Sequence, residues 1–282
     1  MKIEFTVLND NIRLSEELKL HMSRHTYKHL KGYNIPIYVN GTILETYKIV
    51  NKGDKISIDY IKETNKEWPL YESKLDIYYE DEHYLVVYKR SGLLTIPTKI
   101  NPKSLYQEIL YYLKSTNKPL SVSILNRLDK ETKGLVVVAK DPVSASLLLP
   151  THEKMERRYL GLCHGIFDIK EGIIENKIRR SDDSNLRIIS DDGKLAITTY
   201  KVLKEYNNYS LVEFILRTGR THQIRLHSKS INHPLLGDKL YGIDDNIDDL
   251  KLLSYYIRFI NPYTNKEIII KCDNKLEDKN EG

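Results

Sequence analysis

The sequence has few of the residues that mark several classes of protein. Its 282 residues include two cysteines, Cys163 and Cys272, too few for a disulfide framework or a four-thiolate zinc site. Its 13 glycines and 9 prolines exclude collagen-like and linker-dominated chains. No apolar run approaches the roughly 20 residues that span a bilayer, and the charged N-terminus lacks the apolar stretch of a signal peptide. We therefore expect a soluble, cytoplasmic protein that does not act at a membrane.

Length and charge set the next limits. A chain of 282 residues corresponds to roughly two domains and is long enough to bury a core without disulfides. The net charge of +5 suits a polyanionic partner, because phosphate neutralisation releases counterions. The same excess occurs in many proteins that bind no nucleic acid, so the partner must be inferred from motifs.

The first 62 residues form a small predicted module. Apolar spacing over 14–32 predicts a helical region, and Asn40-Gly41 between alternating apolar residues predicts a hairpin. A further strand is predicted after Lys52-Gly53-Asp54. The polar stretch 63–74 has no periodicity and is predicted to be a linker.

A larger domain is predicted over 75–272, followed by a disordered tail at 273–282. Its strand-like and helix-like segments alternate without a regular βαβ rhythm, which favours an α+β fold. Ser104 is a candidate helix cap, and Asp141-Pro142 predicts a helix start.

One cluster of charged residues precedes a buried strand. Arg127, Asp129, Lys130 and Glu131 stand just before the apolar run 134–139. A carboxylate at the mouth of a core strand can be desolvated yet kept ionised by a neighbouring arginine. Asp129 is therefore a candidate nucleophile or general base. From spacing alone, an ordinary loop aspartate is the simpler interpretation.

A second, basic segment covers 217–229. Helical spacing would place His222, Arg225 and Lys229 on one face, with Arg217 and Arg220 in the preceding turn. Such a face could bind phosphate or pair with a carboxylate. A solvated basic surface is the alternative that composition favours.

Several motifs together resemble one enzyme family. Asn126-Arg127-Leu128-Asp129, with Thr132, Gly134 and a run of valines after it, resembles the signature loop of the RluA-like pseudouridine synthases. The resemblance covers about 75–270, and the first sixty residues are similar, more weakly, to an S-four-type RNA-binding domain. The other segments that match in order are 84–98, 157–165, 217–227, 233–242 and 252–262.

This resemblance implies a fold and a reaction. The fold would be a mixed, mainly antiparallel central sheet flanked by helices, preceded by a small α+β RNA-binding domain. The reaction would be isomerisation of uridine to pseudouridine in ribosomal (large-subunit) or transfer RNA, with the nucleotide flipped out of its stack. RNA would be the partner. We expect no cofactor, no metal and no obligate protein partner.

The resemblance also assigns roles to four residues. Asp129 would be the essential aspartate that starts the isomerisation. Tyr159 would stack against the target base, and Arg225 would pair with Asp129 and hold it ionised. Arg127 would fill the space that the flipped uridine leaves.

Some positions depart from the family pattern, and other functions stay open. None of the departures removes a residue with an assigned chemical role. A non-catalytic RNA-binding or ribosome-assembly factor could keep the same fold. An aspartate-dependent hydrolase is a further alternative, but it lacks a second convincing carboxylate or a metal cluster. The departures are Asn126 for histidine, Arg90 for proline, Lys133 for serine, and Leu253 and Asn261 for two histidines.

The helical region of the first module carries two further patterns. His21, His25 and His29 have a spacing that could bind a metal, although a polar helix face is the simpler interpretation. Arg24, Lys28 and Lys31, at similar spacing, could form an RNA-facing stripe.

Overall fold

The computed structural model describes residues 2–22, 24–32, 34–59, 69–98, 103–118, 122–148, 155–184, 186–273 and 276. Within these residues the N-terminal part contains β1 (Lys2–Thr6), β2 (Ile12–Arg13), α1 (Leu14–His21), α2 (Arg24–Gly32), β3 (Ile37–Val39), β4 (Thr42–Ile43), β5 (Ile49–Val50) and β6 (Lys55–Asp59).

The larger part begins with β7 (Asp76–Glu80), β8 (Tyr84–Lys89), α3 (Leu105–Ser115), β9 (Ser123–Ile124), β10 (Lys133–Ala139) and α4 (Pro142–Leu148). It continues with β11 (Met155–His164), β12 (Glu171–Arg180), β13 (Arg187–Ile189), β14 (Lys194–Glu205), β15 (Tyr209–Leu216), α5 (Gln223–Ser230), β16 (Leu252–Ile260) and β17 (Glu267–Lys271).

The N-terminal part forms a four-stranded sheet in the order β1-β6-β3-β4, with β2 and β5 paired separately. The predicted hairpin turn joins β3 and β4, where Asn40 (φ 49°) and Gly41 (φ 83°) both adopt the left-handed conformation that this kind of turn requires. Leu14 and Leu18 of α1 are fully buried against Ile56 and Ile58 of β6.

One helix of the larger part completes this N-terminal core. Val143 of α4 is buried in the same apolar cluster as Leu14 and Ile58, and Leu147 packs against it. The division at 62 and the linker at 63–74 therefore stay predictions. Residues 69–74 form no helix or strand, and the rest of the predicted linker lies outside the described residues.

The larger part is built on one sheet in the order β13-β12-β14-β15-β11-β16-β10-β8-β7, with β17 paired to β16 and β9 to β10. All these pairs are antiparallel except β10 with β16. The α+β fold with a mixed, mainly antiparallel sheet is thus confirmed.

Both faces of the central strands are covered. In β8, Leu85 and Val87 pack with α3 and α5 on one face, whereas Tyr84 and Val86 pack with α4 on the other. Strands buried on both faces read as continuous apolar runs instead of alternating ones. That is why β8 and β10 were visible in the sequence.

Three local expectations need correction. Ser104 does precede α3, but its hydroxyl donates to Gln107 Oε1 (2.7 Å) and does not cap the helix. The strands β7, β12 and β13 were not predicted. In β12 exposure alternates, but the exposed Ile173 is apolar, so apolar and polar residues do not alternate in its sequence. The predicted tail at 273–282 is not disordered throughout, because Leu276 is buried in the core of the larger part. Of this tail, the structure describes Asp273 and Leu276.

Candidate active site

A cavity of about 660 Å³ opens beside the β9–β10 loop, β11 and the N-terminal end of α5. Its wall contains all four residues to which the sequence assigned roles: Arg127, Asp129, Tyr159 and Arg225. They come from three separate segments of the chain, and the fold brings them together.

The loop that carries Asp129 is held against β10 by a side-chain amide. Asn126 is buried, its Nδ2 donates to the Leu135 carbonyl (3.1 Å), and its Oδ1 accepts from the Val137 N–H (2.7 Å). Asn126, one of the departures from the pattern of the resemblance, satisfies two backbone groups of the neighbouring strand.

Two further buried side chains fix the same loop from the opposite direction. The Thr95 hydroxyl donates to the Leu128 carbonyl (2.6 Å) and accepts from the Leu128 N–H (3.1 Å). The Lys89 ammonium donates to the carbonyls of Lys130 (2.9 Å) and Leu93 (2.8 Å). Burial lowers the pKa of Lys89 to about 8, although nearby carboxylates oppose this. The loop is therefore held rigidly before any substrate binds.

A glycine is required where this loop enters β10. Gly134 has φ +120°, and an added Cβ would overlap the backbone of Ser254 in the parallel strand β16. Only glycine allows this close approach and this backbone conformation. The approach places the end of the Asp129 loop directly beside β16.

The carboxylate of Asp129 lies between the His222 imidazole and the Arg225 guanidinium and is hydrogen-bonded to neither. Its Oδ2 is 3.9 Å from His222 Nε2 and 3.9 Å from Arg225 Nη1, and its side chain is 25% exposed. No described residue donates a hydrogen bond to this carboxylate. The oxygen lone pairs therefore remain available toward the cavity, as a nucleophile or base requires.

Arg225 has a different main partner from the one that the sequence predicted. Its Nε donates to Asp238 Oδ2 (2.8 Å) and its Nη2 donates to Asp238 Oδ1, so the pair is bidentate and almost fully buried. Burial alone would lower the pKa of Arg225, but the hydrogen bonds and charge of Asp238 outweigh it and raise the pKa. The expected contact with Asp129 exists only as the 3.9 Å ion pair.

His222 begins α5 in the left-handed conformation (φ 57°) and reaches both Asp129 and Tyr241. Its Nδ1 lies 2.7 Å from the Tyr241 hydroxyl, which also accepts the N–H of Arg187 (2.8 Å). Burial lowers the pKa of His222, although the charge of Asp129 opposes this. A neutral imidazole therefore stands beside Asp129 at neutral pH.

Tyr159 forms a buried wall of the cavity, and Arg127 lies at its exposed edge. Tyr159 is 5% exposed and belongs to the main apolar cluster. Burial raises its pKa, while Arg157 and a hydrogen bond with Ser254 act in the opposite direction. The phenol therefore stays protonated at neutral pH.

Sequence reasoning missed Asp238 and Tyr241. Both lie in the segment 233–242, which was matched as a motif without a role for any residue in it. The available signal was the dipeptide Gly237-Asp238; the structure shows that this glycine adopts the left-handed conformation (φ +70°). Lys229, predicted to share a face with Arg225, is exposed and does not line the cavity.

Of the three histidines of the pattern in the first module, the structure describes the side chain of His21 alone. His21 is buried and its Nε2 lies 3.1 Å from Glu17 Oε1. The side chains of His25 and His29 lie outside the described residues. Among the residues that are described, no three histidines, cysteines or carboxylates converge as metal ligands, and none of the helices is long and apolar enough to cross a bilayer.

Comparison with known proteins identifies the family of the chain. Residues 83–230 match the family model described as RNA pseudouridylate synthase. A Bacillus subtilis protein named uncharacterized RNA pseudouridine synthase YjbO is 32% identical over 256 residues, which are 89% of this chain and 90% of that protein. The chain belongs to the RNA pseudouridylate synthase family.

Two further comparisons are consistent with this membership. The ribosomal large subunit pseudouridine synthase D of Borreliella burgdorferi is 31% identical over 271 residues, 90% of this chain and 83% of that protein. The solved structure of human RNA pseudouridylate synthase domain containing 1 matches the fold with a TM-score of 0.60 at 23% identity, over 71% of this chain and 84% of that chain. This pseudouridine synthase is therefore an isomerase of RNA.

Proposed function

We propose that this protein is a cytoplasmic RNA pseudouridine synthase that converts uridine to pseudouridine in large-subunit ribosomal RNA or transfer RNA, with Asp129 as its essential aspartate. One observation carries the proposal. Asp129 projects from a rigid loop into a cationic cavity, between His222 and Arg225, with its carboxylate free of hydrogen bonds from the described residues. Family membership supports the reaction type.

The surroundings of Asp129 suit a reaction that uses a single carboxylate. The isomerisation breaks a glycosidic bond and rejoins the ring through carbon, so it needs a reactive carboxylate, a held substrate and exclusion of water. Asp129 is the one carboxylate among the described residues that line the cavity. Arg225 places a positive charge beside Asp129 without donating a hydrogen bond to the Asp129 oxygens, because it donates its hydrogen bonds to Asp238.

The shape of the site supports base flipping as part of the proposal. A volume of about 660 Å³ lies within the usual range of ligand pockets, and the carboxylate is recessed between protein segments. A uridine within folded RNA reaches such a carboxylate only if it leaves its stack, which costs a few kcal/mol. Stacking on Tyr159 and insertion of the exposed Arg127 into the vacated space would offset that cost.

We propose that the N-terminal module is an S-four-like RNA-binding domain. Lys19 and Lys31 place their ammonium groups 5.5 Å and 5.9 Å from the centre of the Tyr27 ring, and Lys28 is exposed nearby on α2. Lysines around an aromatic ring form a surface that contacts phosphates and can stack on a base. The side chain of Arg24, the other member of the predicted stripe, lies outside the described residues.

A non-catalytic RNA-binding factor is the second candidate function. It would need the basic surfaces but not a reactive carboxylate on an immobilised loop. The hydrolase alternative is weaker, because hydrolysis of a glycosidic bond normally uses two carboxylates. Catalysis must therefore be tested directly at Asp129.

The test is tritium release from RNA labelled at carbon five of uridine. We expect Asp129→Asn to lower release by at least about a thousand-fold, because the amide is neither nucleophile nor base. RNA affinity should stay within a few-fold. Glu131→Gln, two residues further along the same loop, serves as the control with near-normal release. Release by Asp129→Asn at the rate of the unmodified protein would contradict the proposal.

The target RNA is found by mapping pseudouridines in total RNA from cells with and without this protein. Sites that disappear without the protein and return with it, but not with Asp129→Asn, are its targets. If no site in ribosomal or transfer RNA depends on the protein, the proposed substrate class is wrong. The same comparison separates an enzyme from an assembly factor, since only the enzyme leaves a modified base.

A further inference from the structure

Arg157 is a buried arginine in the wall of the cavity that has no role so far. It lies in β11 two residues before Tyr159, lines the same cavity as Asp129, and is only 4% exposed. Arginine is rarely buried to this degree unless a carboxylate or another anion accompanies it.

No such partner exists among the described residues. The Nε and Nη2 atoms of Arg157 are buried and have no hydrogen-bond acceptor there, and no described carboxylate lies within 4.0 Å of its guanidinium. The neighbouring Arg158, on the other side of the strand, forms ion pairs with Glu156 and Glu213. A buried cation without a counter-charge is unfavourable, and binding of an anion from outside would remove that cost.

The surroundings of Arg157 are closely packed and mainly cationic. Gly219, in the turn before α5, lies against the guanidinium, and an added Cβ there would be 3.2 Å from Nη1 and 3.7 Å from Nη2. The described cavity wall otherwise presents one carboxylate and a set of further cations, which favours an anionic ligand. These cations are Arg127, Lys130, Arg187, Arg220 and Arg225.

We propose that Arg157 binds a backbone phosphate of the target nucleotide and so anchors the flipped uridine beside Asp129. This rests on the proposed function, since it takes RNA as the ligand. A guanidinium offers two parallel N–H donors that match two phosphate oxygens. Arg157 is thus a substrate-binding residue for the sugar–phosphate chain, whereas Tyr159 faces the base.

The first test measures binding without turnover. The thermal midpoints of the full-length protein and of Arg157→Met are recorded with uridine 3′,5′-bisphosphate, with uridine, and with inorganic phosphate, all at matched ionic strength. We expect the bisphosphate to raise the midpoint of the unmodified protein more than uridine does. Arg157→Met should lose the difference between the two midpoint shifts. Arg157→Lys should keep part of it, because the lysine ammonium keeps the positive charge but lacks the two parallel N–H donors of the guanidinium.

The matched control is Arg158→Met, which makes the same substitution one residue further along β11. It should keep the full response to the bisphosphate but have a lower midpoint without ligand, because it removes two ion pairs. Arg157→Met should have an equal or higher midpoint without ligand, because an unpaired buried cation has been replaced by an apolar side chain. A midpoint lowered as far as in Arg158→Met would assign Arg157 a structural role and overturn the proposal.

Other outcomes also decide the question. Arg157 is not a phosphate-binding residue if the bisphosphate raises the midpoint of Arg157→Met as much as that of the unmodified protein. The same conclusion holds if the bisphosphate raises the midpoint of neither protein more than uridine does. If inorganic phosphate alone reproduces the whole difference between the bisphosphate and uridine, the site is not specific to the nucleotide and the proposal also fails.

A second readout uses RNA on which the unmodified protein is active. Arg157→Met should lower kcat/KM by about 10- to 100-fold, mainly through KM, as expected when a charged hydrogen-bond donor to the substrate is removed. An equal fall in kcat with unchanged KM would contradict a binding role. If the unmodified protein has no activity on any RNA, the proposed function fails, yet the midpoint measurements still decide whether Arg157 binds the nucleotide phosphate.

Discussion

The guanidinium of Arg225 is hydrogen-bonded at two positions to Asp238 and reaches Asp129 only across 3.9 Å. Asp238 also accepts the N–H groups of Leu240 and Tyr241, both at 3.0 Å, so its carboxylate is fully engaged. This arrangement orients the positive charge toward Asp129 while leaving the Asp129 oxygens free. The carboxylate of Asp238 therefore fixes the position of the Arg225 guanidinium relative to the carboxylate of Asp129.

The first prediction concerns the stability of this pair. Arg225→Met leaves Asp238 as an uncompensated buried charge, so the free energy of unfolding should fall by about 3–5 kcal/mol. Asp238→Asn in the same background removes that charge and should restore part of the loss. Urea unfolding of the two single variants and the double variant checks this. A double variant whose loss equals the sum of the single losses would show that the two side chains are not coupled.

The second prediction concerns the rigidity of the Asp129 loop. Thr95→Val removes both hydrogen bonds to Leu128 and leaves two backbone groups without partners, so unfolding should become easier by about 1–3 kcal/mol. The rate of tritium release should fall more than RNA affinity, because the position of Asp129 is loosened. Thr116→Val removes a similar hydroxyl at the exposed end of α3 and should leave the rate unchanged. Equal effects of the two variants on the rate would exclude a positioning role for Thr95.

The third prediction concerns acid sensitivity. His227 is fully buried, neither of its ring nitrogens has a partner among the described residues, and burial lowers its pKa to about 4 from the ordinary 6.5. As the pH falls below 6.5, the unfolded chain binds a proton that the folded protein does not, and stability decreases until about pH 4. His227→Leu removes this proton linkage.

We therefore expect the loss of unfolding free energy between pH 7 and pH 4.5 to be smaller by about 2–3 kcal/mol in His227→Leu than in the unmodified protein. Urea unfolding at the two pH values measures the difference. The comparison cancels carboxylate titration, which is common to both proteins. The same loss in both would mean that His227 is not buried in its neutral form.

The fourth prediction concerns the N-terminal module. The double variant Lys28→Glu/Lys31→Glu should bind RNA more weakly. The slope of log K against log salt concentration should become shallower by roughly 0.7–0.9 for each phosphate that the protein no longer neutralises. Point variants are preferred to deletion of 1–62, since that deletion would expose Val143 of the larger part. Lys266→Glu/Lys271→Glu makes the same charge change on the β16–β17 hairpin and serves as the control. Identical salt slopes for the two double variants would contradict an RNA-binding role of α2.

The elements with strong local signals were predictable. The turn at Asn40-Gly41, the helix start at Asp141-Pro142 and the buried strands β8 and β10 follow from turn chemistry, capping and apolar runs. The Asp141 carboxylate does accept the N–H of Ser144 (2.8 Å), as a helix cap should. Strand β12, with an exposed Ile173, has no comparable local pattern and was missed.

The sequence by itself determined the family, the α+β class and the identity of four of the residues that line the cavity. These are carried by short motifs, whose residues are adjacent in the chain. Only the tertiary structure decided the partners of those residues. Asp238 holds Arg225 although the two are 13 residues apart, and the β9–β10 loop, β11 and α5 meet around one cavity in which Arg157 has no partner among the described residues. A hydrogen bond depends on distance and direction in space, and a one-dimensional pattern specifies neither.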